Sequence, residues 1–306
     1  MSSLPHRQLR NKPTPHREAN PRPLPHSQFK TTPFKNASPT MAYHCRASHT
    51  RMLERLEYRP TQYNDKNGAG VVMNFQSMAA EFWQKGYLCC DNFFDDELMD
   101  RYQKHILDEF GNDPDFVHNE EFLERSNTDV IPWFPQRDGV DAFDIVEQDS
   151  RLQALTEAIL GGGWASLYSM VMFSKQGSKG QSWHQDCPPE DISRFNLNRL
   201  VYSMDIDASI GGETLVVPGS HRMGTISAGD GDEVLAGEIA LSPKKGTLIM
   251  IHGHLWHRVK SVHGRYRASI NYRCCPANTP TDVTDICVYR NMRYQFSTHS
   301  IVEERL

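Results

Sequence analysis

The chain has 306 residues, of which 38% are hydrophobic and 23% charged, and carries a net charge of −5, the make-up of a globular protein with a sizeable core. Its longest apolar run, "GTLIMIHG" at 246–253, is far too short to span a bilayer, and no charged and apolar leader opens the chain, so neither a membrane anchor nor secretion is expected. Seven cysteines, two adjacent pairs among them and no C-x-x-C, argue against a disulfide framework or a cysteine zinc site and predict a reduced, cytoplasmic protein.

The first forty residues are rich in proline, repeat Pro-His at 5, 15 and 25, and hold few large apolar side chains. Such a segment cannot bury enough surface to offset its ordering entropy. Residues 1–45 therefore read as a disordered basic tail and 46–306 as one domain, with Met41 a conceivable alternative start. Seven cations against Glu18 give the tail a charge of +6, which leaves −11 on the remainder. An acidic body disfavours nucleic acid as a partner, because it repels a phosphate backbone.

Order is expected from about residue 75. Met78, Phe82 and Trp83 stand at helical spacing ahead of Gly86, which acts as a stop. "YLCCDNFF" predicts a short strand, and Asp95 a cap for a helix running to about Phe110. Residues 111–148 carry little regular pattern. "DSRLQALTEAIL" is a third helix, ended by Gly161–Gly163; that glycine run lacks the spacing of a phosphate cradle. From Trp164 the texture changes to short β-rich runs punctuated by Gly and Pro: "WASLYSMVMFSK", "NRLVYSMDID", "GETLVVPGSH", "GEIALSPKKGTLIMIHG", "RVKSVHG" and "YRASINYRCCP". That density predicts a mainly β protein with flanking N-terminal helices and a jelly-roll core rather than βαβ units.

Chemistry concentrates in "SWHQDCPPE" at 182–190. On a strand, residues i and i+2 share a face, so His184 and Asp186 point together, with Gln185 turned away or toward a neighbouring subsite. A third histidine from a later strand completes a two-histidine, one-carboxylate facial triad, the arrangement of non-haem Fe(II) oxygenases. "IHGHLWHRV" offers His252, His254 and His257. Cys187, beside Asp186, reads as a packing residue.

His184-Gln185-Asp186, then "GGETLVVPGSH" at 211–221, "GTLIMIHGHLWH" at 246–257 and "YRASINYR" at 266–273 follow in the order found in the phytanoyl-CoA dioxygenase family, which this sequence resembles from about Phe82 to about Arg273. The resemblance implies a double-stranded β-helix (jelly-roll, cupin-like) core, Fe(II) as metal, 2-oxoglutarate as cosubstrate and O2 as oxidant. It implies His257 as the third ligand and Arg267, ten residues on, as the grip on the far carboxylate of 2-oxoglutarate, to which a guanidinium offers a planar fork. Ser269, on the same strand face, adds a hydroxyl; Gln185 and Tyr202 are counted with the cosubstrate contacts, and Met170 packs in the same pocket. Val259 departs from the small polar residue often found two past the metal histidine. His221, in "PGSH", belongs to a structural turn. A carboxylate at 186 favours hydroxylation over halogenation.

The implied activity is oxidation of a small organic molecule coupled to decarboxylation of 2-oxoglutarate to succinate and CO2. The loop "CPPEDISRFNLNR" at 187–199 is expected over the mouth, where Arg194, Asn198 and Arg199 are either substrate contacts or solvated residues. A 2-oxoglutarate-independent cupin-like metalloenzyme would share the histidines without needing Arg267, and a non-catalytic binding protein could use the same scaffold. Prime substrate and oligomeric state are left open. Deletion of residues 1–40 is expected to leave the thermal midpoint and turnover nearly unchanged, measured by scanning calorimetry and 2-oxoglutarate consumption; a large drop in either would mean that the tail packs on the domain.

Overall fold

The structure, a computed structural model, describes residues 61–64, 70–111, 128–280, 286–296 and 301–304. The proposed tail lies outside them. The first described elements are an antiparallel pair ahead of the expected start of order, β1 (Thr61–Asn64) and β2 (Gly70–Met73). Four residues each, they are too short to leave a periodic signal.

Helix α1 (Phe75–Lys85) begins where the Asn74 side chain accepts from the Ser77 N–H at 3.0 Å and ends at Gly86, whose φ of 82° and N–H to the Phe82 carbonyl form a left-handed cap. After β3 (Tyr87–Cys90), helix α2 (Asp96–Phe110) starts with Asp95 accepting from the Leu98 N–H at 2.8 Å. Helix α3 (Ser150–Leu160) is capped by Asp149 and stops at Gly161. All three follow the expected pattern, and the glycine run is a helix stop.

Strands β3, β4 (Ile131–Trp133), β5 (Ala165–Lys175), β7 (Leu197–Val201), β10 (Leu248–His252) and β12 (Tyr266–Cys275) form a six-stranded sheet in the order β3-β10-β7-β12-β5-β4. Strands β6 (Gln181–Gln185), β8 (Thr214–Val216), β9 (Ile239–Leu241), β11 (His257–Val259), β13 (Ile286–Tyr289), β14 (Met292–Phe296) and β15 (Ile301–Glu304) form a seven-stranded sheet, ordered β15-β14-β13-β6-β11-β8-β9. All named pairings are antiparallel. The result is a jelly roll.

Alternation along each strand decides what packs where. Ala268, Ile270, Tyr272 and Cys274 of β12 join one buried cluster with Phe82, Met99, Tyr102, Phe110, Leu152 and Leu155 of the three helices. The other face of the six-stranded sheet meets the seven-stranded one, with Leu200, Ile249 and Ile251 against Val216 and Leu241. The helices thus cover the outside of one sheet, and the cleft between the sheets is lined by apolar and polar side chains together.

Two residues expected in the mouth loop are strand residues instead. Arg199 of β7 faces the helices, fully buried, with Nη2 donating to Glu147 Oε1 at 2.6 Å and Nε to the Tyr272 carbonyl at 2.9 Å. Asn198, its neighbour, faces the cleft. The six cysteines among the described residues are free, and no described helix is long and apolar enough to cross a membrane.

Breaking a buried pair costs more than replacing it. Glu147→Ala is expected to lower stability by about 3 kcal/mol, at the lower end for such pairs because Glu147 is partly exposed. The double variant Glu147→Leu/Arg199→Met should recover most of that. Urea unfolding midpoints check both.

Candidate metal and anion site

Strands β6 and β11 are neighbours, and His257 is the register partner of His184. Their rings lie side by side, with centroids 4.1 Å apart. Asp186 leaves the end of β6 with its N–H held by the Gly253 carbonyl at 2.7 Å. That close approach requires glycine at 253, because a Cβ there would overlap Asn196 Oδ1 and Cys187 Sγ. One ligand atom from each of His184, Asp186 and His257 lies within 4.8 Å of the others, and all three residues are buried.

Hydrogen bonds orient both rings. His184 Nδ1 sits 2.9 Å from the Ser182 carbonyl, and His257 Nδ1 2.8 Å from that of Leu255. A carbonyl only accepts, so each Nδ1 carries a proton and each ring turns Nε2 inward, the atom that would meet a metal. Burial, reinforced by His257, pushes the His184 pKa down to about 3, so its ring is neutral above that.

Asp186 receives two charge-assisted bonds: Asn198 Nδ2 donates to Oδ2 at 2.7 Å and Arg273 Nη2 to Oδ1 at 2.8 Å. Burial alone would raise its pKa, but the Arg273 guanidinium and then His257 outweigh it and hold the carboxyl well below its usual range. Tyr289 of β13 stacks on His184 at 4.8 Å. Two imidazoles that turn Nε2 inward and one ionised carboxylate form a donor set fit for a divalent metal.

Across the cleft, β12 turns Arg267, Ser269, Asn271 and Arg273 inward. Arg267 is 1% exposed. Its Nε donates to the Gly212 carbonyl at 3.3 Å, and a Cβ at Gly212 would crowd the Arg267 stem, which accounts for one glycine of the "GGETLVVPGSH" run. Its Nη1 has no hydrogen-bond partner among the described residues, and neither has Ser269 Oγ. Burial lowers the Arg267 pKa; no described acid pairs with it. A buried cation so left unsatisfied marks a place for an anion. Arg267 and the triad line one cavity of ≈ 90 Å³, walled by Met170, Met172, Leu200, Ile251 and Val259.

The other sequence candidates fall elsewhere. His252 is buried against Phe195, ring on ring at 4.2 Å, and His254 Nε2 bonds the Arg194 carbonyl at 3.0 Å; neither lines the cavity. Gln185 faces away from it, donating to the carbonyls of His254 and Gly224 and accepting from the Ile226 N–H at 3.0 Å. It braces β6 because i+1 on a strand takes the opposite face. Tyr202 does not line the cavity either; its hydroxyl meets Thr214 at 3.2 Å and its ring lies 5.8 Å from the Arg267 guanidinium carbon. His221 sits in a buried turn near the Trp83 carbonyl at 3.2 Å.

Sequence reasoning passed over Asn271, Arg273 and Tyr289. Extending the two-residue period from Arg267 and Ser269 would have reached the first two. Tyr289 had its own signal, since "ICVYRNMRYQF" is two β-rich runs around a two-residue turn.

Residues 82–265, more than half of the chain, match the family model of phytanoyl-CoA dioxygenase (PhyH). No curated protein sequence matches. Among solved structures, the chain is similar to the non-haem alpha-ketoglutarate-dependent epimerase SnoN from nogalamycin biosynthesis, with a TM-score of 0.53 and 16% identity over 71% of this chain and 85% of that one. It is also similar to HygX from Streptomyces hygroscopicus with nickel and 2-oxoglutarate bound, with a TM-score of 0.51 and 13% identity over 68% of this chain and 88% of that one. At such identities the likeness is one of fold.

His184→Ala and His257→Ala are expected to abolish stoichiometric Co(II) binding in anaerobic titrations, whereas His254→Ala should retain it. Asn198→Ala should weaken it by about 10–100-fold through loss of orientation of Asp186. A tolerant His257→Ala beside a dead His254→Ala would reverse the ligand assignment.

Proposed function

The chain belongs to the phytanoyl-CoA dioxygenase family, and from that premise we propose that it is an Fe(II)/2-oxoglutarate-dependent dioxygenase oxidising a small organic molecule. The observation that carries this reading is a buried guanidinium with an unpartnered Nη1 sharing one cavity with a buried His-Asp-His triad. A metal centre alone would leave that cation unsatisfied. A dicarboxylate keto acid answers both ends.

In this reading His184 and His257 would offer their Nε2 lone pairs and Asp186 its carboxylate to Fe(II). When bound, Fe(II) with O2 and 2-oxoglutarate supplies the oxidising power, the keto acid leaving as succinate and CO2. Arg267 holds the far carboxylate through its fork, and Ser269 Oγ donates to the same group. Tyr202, against the Arg267 guanidinium, keeps that fork in plane rather than touching the cosubstrate, and Gln185 acts only through β6.

Asn198 and Arg273 fix the Asp186 carboxylate and keep it ionised. Met170, Met172, Leu200, Ile251 and Val259 exclude water from the space between metal and anchor, which strengthens each charged contact there. A carboxylate rather than a small residue at 186 favours hydroxylation over halogenation. The substrate in this reading is a small molecule; a structure of HygX has hygromycin B bound beside nickel and 2-oxoglutarate.

Arg267→Ala should raise the apparent KM for 2-oxoglutarate by roughly 30- to 1,000-fold, the worth of a desolvated charge-assisted pair of about 2–4 kcal/mol. Iron affinity should stay within a few-fold, and Arg267→Lys should recover only part, since a point charge lacks the planar fork. Succinate formation by anaerobically reconstituted protein checks this. An unaffected Arg267→Ala would favour the cupin-like metalloenzyme that needs no keto acid.

A further inference from the structure

The cavity contains a hydrogen-bond acceptor that the proposed cosubstrate cannot satisfy. Asn271 lies between Ser269 and Arg273 on the inward face of β12, lines the cavity, and is 3% exposed. Its Nδ2 donates to Asn198 Oδ1 at 2.7 Å, and its Oδ1 has no partner among the described residues.

The orientation of that amide is set in series from the metal-binding carboxylate. Ionised Asp186 only accepts, so Asn198 must turn its Nδ2 toward it, at 2.7 Å. The Asn198 oxygen then faces the other way, where it takes both Arg273 Nε at 2.9 Å and Asn271 Nδ2. Turning Asn271 over would set two oxygens against each other at hydrogen-bond distance. The charge on Asp186 therefore leaves an amide oxygen of Asn271 directed at the cavity.

Arg267 Nη1 and Ser269 Oγ, on the same strand face, can donate to 2-oxoglutarate. The keto-acid dianion has acceptors only and has nothing to give Asn271. A buried carbonyl left unpaired costs enough that the site must recruit a donor from elsewhere. Resting on the keto-acid reading above, we propose that Asn271 is a specificity-determining residue and that the prime substrate carries a hydroxyl or amine that donates to Asn271 Oδ1. The aliphatic walls beside it suit an otherwise apolar body. A site of this kind rejects an analogue lacking the donor, because binding it leaves the acceptor buried and unpaired.

The test uses anaerobic Fe(II)-loaded protein saturated with 2-oxoglutarate and a series of alcohol–ketone pairs of near-equal size, from 2-propanol and acetone to cyclohexanol and cyclohexanone. Binding is measured by calorimetry. The wild type should favour the alcohol of at least one pair by about ten-fold, and in Asn271→Leu the ratio should fall to about two-fold or less. Asn271→Ala, which leaves room for a water to donate to Asn198, carries the same comparison should the leucine variant fold poorly. No preference in any pair, as expected if ordered water satisfies the oxygen, overturns the proposal, as does a preference that survives both variants. Titration of 2-oxoglutarate into the same protein separates the two readings: if it fails to bind, the dioxygenase reading falls and this inference with it, whereas binding without any alcohol preference sinks this inference alone.

Discussion

Removing a carboxylate from water costs several kcal/mol unless charged and hydrogen-bonding partners replace the lost hydration. Asp186 lies at the centre of the cleft, and its surroundings are organised around that cost. Arg273 and Asn198 bond its two oxygens, and His257 Nε2 lies 3.2 Å from Oδ2. Each partner comes from a different strand. The ionised state of one side chain thereby fixes the alignment of β12, β7 and β11 around the end of β6, and the order of donors and acceptors outward from it.

Strand β12 connects that centre with the stability of the fold. Its outward residues are core, packed against the three helices, and Tyr272 adds a hydroxyl bond to the Phe143 carbonyl at 2.8 Å. Its inward residues are the cation at one end of the cavity, the brace at the other and the amide between them. The two-residue period of an extended chain makes this division possible. Positioning of Arg267 and Arg273 therefore draws on helix packing that never touches the cleft, and such rigid support is what holds a polar site in register.

The cavity has a polarity of its own. Arg267 presents an unpaired donor; Asn271 presents an unpaired acceptor a short way along the same strand. The family match ends at residue 265, ahead of these residues and of Tyr289.

Much could be read from the chain alone. Apolar spacing, the Asp95 cap and glycine stops located all three helices; hydrogen bonds accepted by Asn74, Asp95 and Asp149 decide where each begins. The density of short β runs indicated a jelly roll, His184 and Asp186 stood out by spacing, and the family resemblance pointed to Arg267. Other features required the fold. His252, His254 and His257 are equally good imidazoles in the sequence; the antiparallel register that sets His257 opposite His184 exists only once β6 and β11 pair. Asn198 and Arg199, adjacent in one expected loop, go to opposite faces of a strand, one to the cleft and one to the helices. Arg273 and Tyr289 acquire meaning only from a carboxylate and an imidazole about a hundred residues away in sequence. Local propensity and spacing are properties of a few neighbouring residues, whereas register, burial and the satisfaction of a buried charge belong to pairs of segments, and only the tertiary structure decides which segments meet.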